Sequence, residues 1–166
     1  GYNSSNTISL AALCAEQVPT YHIADPDEID VDGNVNVSKL GKKPYLTAGC
    51  GGFVDITAHA KKIVFSGWFE AGAEIALDDT GLRVTKPGKF TKMVDKVEHV
   101  TFSGARARAQ GQEVLYVTER CVIRLMEDGL VATEVMPGID PARDIIAASH
   151  GRVRVAENAK VLPLSL

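Results

Sequence analysis

Glu113-Val114-Leu115-Tyr116-Val117-Thr118-Glu119-Arg120-Cys121-Val122-Ile123-Arg124-Leu125 carries the richest β signal of the chain, a run of β-branched, aromatic and aliphatic side chains. One straight strand of that length outruns a small domain, so the run must bend. Glu127-Asp128-Gly129 then turns the chain, Leu130 to Val135 is expected to return as a paired strand, and Met136-Pro137-Gly138 stops it. A helix start follows. Asp140 can cap free amides, Pro141 suits the first helical position because its missing N–H costs nothing there, and Ile145 to Ala148 continue the helix.

Upstream, Lys61-Lys62-Ile63-Val64-Phe65-Ser66-Gly67-Trp68-Phe69 reads as a strand. Glu74 to Leu77 and Leu82 to Thr85 flank Asp78-Asp79-Thr80-Gly81 as a hairpin, which Lys86-Pro87-Gly88-Lys89 breaks. Ile29 to Val37 alternates apolar and polar residues around Asp32-Gly33, a tight hairpin whose odd-numbered apolar residues should share a buried face. Between the two hairpins, Gly41 to Gly52 is a flexible loop feeding a helix over Phe53 to Ala60, and Ser103 to Gln112 reads as a flexible segment. At the start, Ile8 to Ala15 forms a short helical patch, and Asp25-Pro26-Asp27 is a turn. Strands, hairpins and a few helices give an α/β fold with an open sheet.

The chain has 166 residues, 45% hydrophobic and 23% charged, enough for one core and ordinary for a globular domain. Net charge is -3 and the basic residues are scattered, so no electropositive stripe exists to neutralise a nucleic-acid backbone. No apolar run approaches the roughly 20 residues that cross a bilayer, and residues 1–6 lack the features of a signal peptide. Cys14, Cys50 and Cys121 are odd in number and far apart, against both a disulfide framework and a zinc site, and a cytoplasmic location is expected. His22, His59, His99 and His150 show no ligand spacing, so no metal is expected. A chain opening on Gly1 in place of methionine is expected to be a fragment or a processed subunit.

Gly49-Cys50-Gly51-Gly52 is the local feature with a clear chemical use. Bare amides at a helix start point outward with positive partial charge, and receive phosphate, carboxylate or a developing oxyanion. Glycines serving only a tight connection are the commoner case. Cys50 is in a setting that can lower a thiol pKa, yet only His59 is near in sequence, and a small thiol filling a gap is the more frequent role. Lys61, Lys62, Arg106 and Arg108 are positioned to meet an anion or simply to solvate a face. Glu119-Arg120 reads as a structural ion pair.

Four segments, taken in order, resemble one family. Asp32-Gly33-Asn34-Val35-Asn36-Val37-Ser38, Ala48-Gly49-Cys50-Gly51-Gly52-Phe53-Val54-Asp55-Ile56, Ala60-Lys61-Lys62-Ile63-Val64-Phe65 and Tyr116-Val117-Thr118-Glu119-Arg120-Cys121-Val122 are similar to the second half of family I coenzyme A transferases, of the propionate and acetoacetate type. Leu130 to Asp144 matches the closing segment. The resemblance covers roughly residues 29–163 and divides the chain into a divergent N-terminal segment, 1–28, and a C-terminal half-domain, 29–166.

The resemblance implies an open, mixed, mainly parallel sheet with β-hairpins. It also implies transfer of coenzyme A from an acyl-CoA to a short-chain carboxylate, as in fatty-acid and ketone-body metabolism, with coenzyme A as substrate and no permanently bound cofactor. In the family a glutamate attacks the thioester, and the exchange passes through an anhydride and a glutamyl-CoA thioester. By similarity Gly51 and Gly52 are the catalytic amide donors, Gly49 shapes the turn, and Gly49, Cys50 and Lys61 contact coenzyme A. The glutamate stands N-terminal to the matched segments in the family, and neither Glu16 nor Glu28 has its setting. The expected partner is therefore an N-terminal half or subunit, within a homo- or hetero-oligomer, and the isolated chain is expected to be inactive. The alternatives are a noncatalytic coenzyme A-binding or assembly domain and an acyl-CoA hydrolase.

Overall fold

The computed structural model describes residues 20–24, 26–39 and 50–164; the helical patch at Ile8 to Ala15, Cys14 and Gly49 lie outside the described residues. Strand β1 (Thr20–Ala24) precedes a small hairpin of β2 (Glu28–Asp30) and β3 (Val35–Asn36). Helix α1 (Phe53–His59) leads into β4 (Lys62–Ser66), β5 (Glu70–Ala71), the hairpin β6 (Glu74–Asp78) and β7 (Gly81–Lys86), then β8 (Phe90–Thr91) and β9 (Met93–Val94). Helix α2 (Gly104–Ala109) precedes β10 (Glu113–Val117), β11 (Cys121–Met126) and β12 (Gly129–Val135). A π-helical segment (Pro141–Ala147) and β13 (Val153–Val161) end the described chain.

The main sheet has six strands in the order β1-β4-β10-β11-β12-β13. β1–β4, β4–β10 and β12–β13 are parallel; β10–β11 and β11–β12 are antiparallel. The fold is thus α/β with a mixed, mainly parallel sheet. The long run at 113–125 bends as a hairpin, reversing over Thr118 to Arg120 with the Thr118 hydroxyl accepting the amides of Arg120 and Cys121. Alternation along β4 buries Ile63 and Phe65, while β10 buries Val114, Leu115 and Tyr116 in succession, as a strand covered on both faces must.

Three expectations change, and two strands stand where no element is expected. Ser103 to Gln112 holds a helix: the Ser103 hydroxyl accepts the Arg106 amide as an N-cap, and Ala107 is wholly buried. The segment after Asp140 is capped as expected, with its carboxylate accepting the amides of Ala142 and Arg143, but winds as a π-helix. Strands β1 and β13 lack a sequence signal strong enough to announce them, and β1 carries the sheet N-terminal of residue 29. In the first hairpin Ile29 and Val35 are buried as expected, but Val31 is exposed at the turn, and Asp30 and Asn36 are buried too. Asp30 organises that turn, accepting the amides of Asp32, Asn34 and Val97 and the Asn34 side chain.

An aromatic cluster sets both helices on the sheet. Phe65 on β4 stacks on Tyr116 of β10 at 5.4 Å, meets Phe102 edge-on at 5.2 Å and lies 6.1 Å from Phe53. Phe53 opens α1 and Phe102 stands just before α2, so one cluster anchors the starts of both helices.

Candidate functional site

Cys50, Gly51 and Gly52 enter α1 through a tight bend, the Phe53 amide donating to the Cys50 carbonyl at 2.9 Å. Gly51 is exposed with φ +50, and a Cβ there would meet nothing within 4 Å. Glycine is required at 51 by backbone conformation rather than by crowding. Gly52 occupies the N-cap with φ -77 and ψ 0 and supplies no side-chain cap. Among the described residues, the amides of Gly51 and Gly52 have no acceptor.

The other end of α1 is closed. The Gln112 side-chain amide donates to the carbonyls of Thr57 at 2.8 Å and Ala60 at 2.6 Å, satisfying groups that a helix C-terminus leaves free. Gln112 precedes β10, so the same bonds tie α1 to the sheet. One end of this helix is thus fixed, and at the other the donors are open among the described residues.

The five sequence-derived site residues do not all gather at that open end. Cys50 is half-buried and packs against the core, beside Gly51 and Gly52. Lys61 lies past the opposite end of α1, roughly 10 Å away along a helix of this length. It borders a separate open hollow of 330 Å³ with His59 and Gln110. Lys62 is paired to Glu113 at 3.2 Å. Among the described residues no three His, Cys, Asp or Glu side chains gather as a metal site requires. No helix there is long and apolar enough to cross a membrane.

A cleft of 140 Å³ runs between α1 and α2, walled by Val54 and Thr57 on one side and Arg106 on the other, with Val100 and Phe102 between them. Val54 belongs to the first turn of α1, and the lining continues along that helix to Ala58 and Gln112 near its other end. At that volume it is smaller than a typical enclosed ligand pocket. Sequence patterns do not show it, because Ser103 to Gln112 reads as loop; the Ser103 cap is the available signal.

A second polar cluster is closed. The wholly buried Arg120 guanidinium donates to Glu70 at 2.6 Å, Glu119 at 3.0 Å and the Asp144 carbonyl at 2.9 Å, and lies over the Phe69 ring at 4.8 Å. Glu119 also accepts the Phe69 amide, and Glu70 accepts that of Gly88. The ion pair expected at Glu119-Arg120 is thus structural, and its third member, Glu70, is fifty residues away in sequence. Nearby, hydrogen bonds from Arg143 hold the buried Asp144 carboxyl below the usual carboxylate range. Burial pushes the Cys121 thiol up to about 12, so it is an inert thiol at neutral pH.

No protein-family model matches the chain. It is 45% identical over 122 residues to the caffeate CoA-transferase of Acetobacterium woodii, covering 72% of this chain and 23% of that protein. To the acetate CoA-transferase YdiF of Escherichia coli K12 it is 41% identical over 120 residues, 72% of this chain and 22% of that one. Its fold matches the crystal structure of the acyl-CoA transferase YdiF apoenzyme from Escherichia coli O157:H7 with a TM-score of 0.84 and 31% identity, over 94% of this chain and 29% of that one. The decarboxylase AibA/AibB shares the fold alone, with a TM-score of 0.66 at 18% identity. The chain spans less than a third of the length of these CoA-transferases. Similarity in sequence and in fold converges on one conclusion: the chain belongs to the family I CoA-transferases.

Proposed function

We propose that this chain, from residue 29 onward, is part of the C-terminal half of an enzyme that moves coenzyme A from an acyl-CoA to a short-chain carboxylate. In this reading it supplies the oxyanion side of the site. The nucleophilic glutamate comes from the remainder of a longer protein or from a partner subunit. The glutamate carboxylate adds to the thioester carbonyl, the carbonyl π pair moves to oxygen, and expulsion of the coenzyme A thiolate leaves an acyl-glutamyl anhydride. The thiolate then adds to the glutamyl carbonyl and releases the first carboxylate. An acceptor carboxylate reverses these two steps and frees the glutamate. Every step builds a tetrahedral oxyanion, the species that amide donors fixed beforehand stabilise.

One observation carries the proposal. Among the described residues, the Gly51 and Gly52 amides have no acceptor, at an end of α1 without a side-chain cap, while the other end of the helix is tied to the sheet. In this reading Gly49 shapes the turn and, with Cys50, contacts coenzyme A, whereas Lys61 reaches it only from the far end of α1.

Gly52 permits a direct test, because its φ of -77 accommodates proline, which removes the N–H. The chain assembled with the remainder of its protein should exchange acyl groups between acetyl-CoA and a second carboxylate. Gly52→Pro should lower kcat about 100-fold or more while Gly52→Ala, which keeps the donor, loses far less. Equal rates for the two variants would remove Gly52 from the role. Thioester loss without exchange would instead mark a hydrolase, and coenzyme A binding without turnover in a verified assembly would mark a noncatalytic domain.

A further inference from the structure

Among the described arginines, Arg106 alone has neither a carboxylate nor a carbonyl partner. Arg83, Arg124, Arg152 and Arg154 pair with carboxylates, Arg120 and Arg143 hold the buried cluster, and Arg108 donates to the Asp32 carbonyl at 3.0 Å. Arg106 stands on an exposed face of α2 and lines the cleft against α1. Across from it, Val54 and Val100 are 46% and 48% exposed, with the ring of Phe102 buried between them. A guanidinium with no partner among the described residues, beside exposed valines in an open cleft that Ser103 and Gln110 also line, is the complement of an organic anion.

We propose that this cleft is a subsite for an organic anion, whose apolar body lies on Val54, Val100 and Phe102 and whose carboxylate or phosphate pairs with Arg106. The inference rests on the proposed function, in which two substrates carry that chemistry: the carboxylate acceptor and the phosphorylated end of coenzyme A. Val54, on one wall of the cleft, stands two residues past Gly52 in the first turn of α1, on the side of the proposed oxyanion donors. Thr101, on the cleft wall, has its hydroxyl bonded to Ser38, so among the described residues Arg106 is the charged group of the lining with unused donors, beside the side-chain amide of Gln110.

Backbone amide shifts of the full 166-residue chain, titrated separately with butyrate, adenosine bisphosphate and inorganic phosphate, decide it. The expected result is saturable movement of the Val54, Val100 and Arg106 resonances with butyrate or adenosine bisphosphate, and weaker binding of inorganic phosphate, which has no apolar body. Arg106→Gln should weaken that binding about tenfold, and Arg106→Lys by less. Whichever organic ligand saturates identifies the source. No saturation by either, or equal affinity in Arg106→Gln, overturns the subsite. A role confined to the helix dipole would lower the stability of the variant and leave ligand shifts unmoved. Because the readout is binding rather than exchange, the subsite and the transferase reading can fail separately.

Discussion

The Arg120 cluster and the glycine bend treat polar groups in opposite ways. In the first, a buried guanidinium is answered by two carboxylates, a carbonyl and an aromatic face. In the second, two amides and a nearby guanidinium have no protein partner among the described residues. Charge that is fully matched inside a fold has nothing left to offer a ligand, whereas donors left open at a surface cleft are solvated and available to one. The sequence contains both as small motifs of similar prominence, and only the partners separate them.

The sharpest way to break this contrast is to unmatch the closed cluster. Arg120→Met strands Glu70 and Glu119 in the interior and should cost about 3–5 kcal/mol of stability, measured by urea denaturation. Replacing Glu70 and Glu119 by glutamine in the same variant should recover part of that loss. A cost below 1 kcal/mol for Arg120→Met alone would mean the cluster is not the anchor its geometry implies.

Two glycines test the same contrast at smaller scale. A Cβ on Gly104 would lie 2.1 Å from the Asp32 carbonyl oxygen, where α2 presses on the first hairpin, so Gly104→Ala should cost about 2–3 kcal/mol. Gly51→Ala meets no neighbour and bears only its left-handed backbone, about 1–2 kcal/mol. Thermal melts of the pair should therefore rank Gly104→Ala as the less stable.

The smallest expected effect concerns acid. Because Arg143 and the Asp140 amide lower the folded-state pKa of Asp144, its stabilisation is present above about pH 4 and lost as pH falls through the lower folded value. Arg143 is mostly exposed, so solvent screening limits this to about 1 kcal/mol at neutral pH. Asp144→Asn should be less stable than the parent at pH 7, and the difference should shrink through the acid range. A constant difference would show that packing, not ionisation, is what the aspartate supplies.

Much of the fold was legible in the sequence because its signals are local. Asp32-Gly33, Asp78 to Gly81 and Glu127 to Gly129 each turn adjacent strands, and the cap at Asp140 acts within three residues. What was illegible is non-local or barely buried. β13 buries Val153 but leaves Arg154, Glu157, Lys160 and Val161 exposed, so it shows little alternation to read. The helix α2 hides behind two arginines and buries only Gly104 and Ala107. At the site, the glycine bend could be read from composition and resemblance. The cleft could not, since it exists only where Phe65 gathers Phe53 and Phe102 and thereby sets two helices side by side. The Glu70 partner of Arg120 was hidden by the same separation in sequence.

β13 has one further consequence, for how the protein behaves in concentrated solution. It ends the six-strand order, so its outer margin is a row of backbone donors and acceptors facing no strand among the described residues. Such a margin recruits strands from other molecules unless its side chains forbid it. Arg154, Glu157 and Lys160 distribute charge of both signs along it, and the register with β12 shifts between Ala132 and Glu134, interrupting the regular ladder. The strand that was hardest to recognise is hard to recognise for the reason that makes it a poor template: the polarity that obscures its pattern discourages the sheet from growing past it.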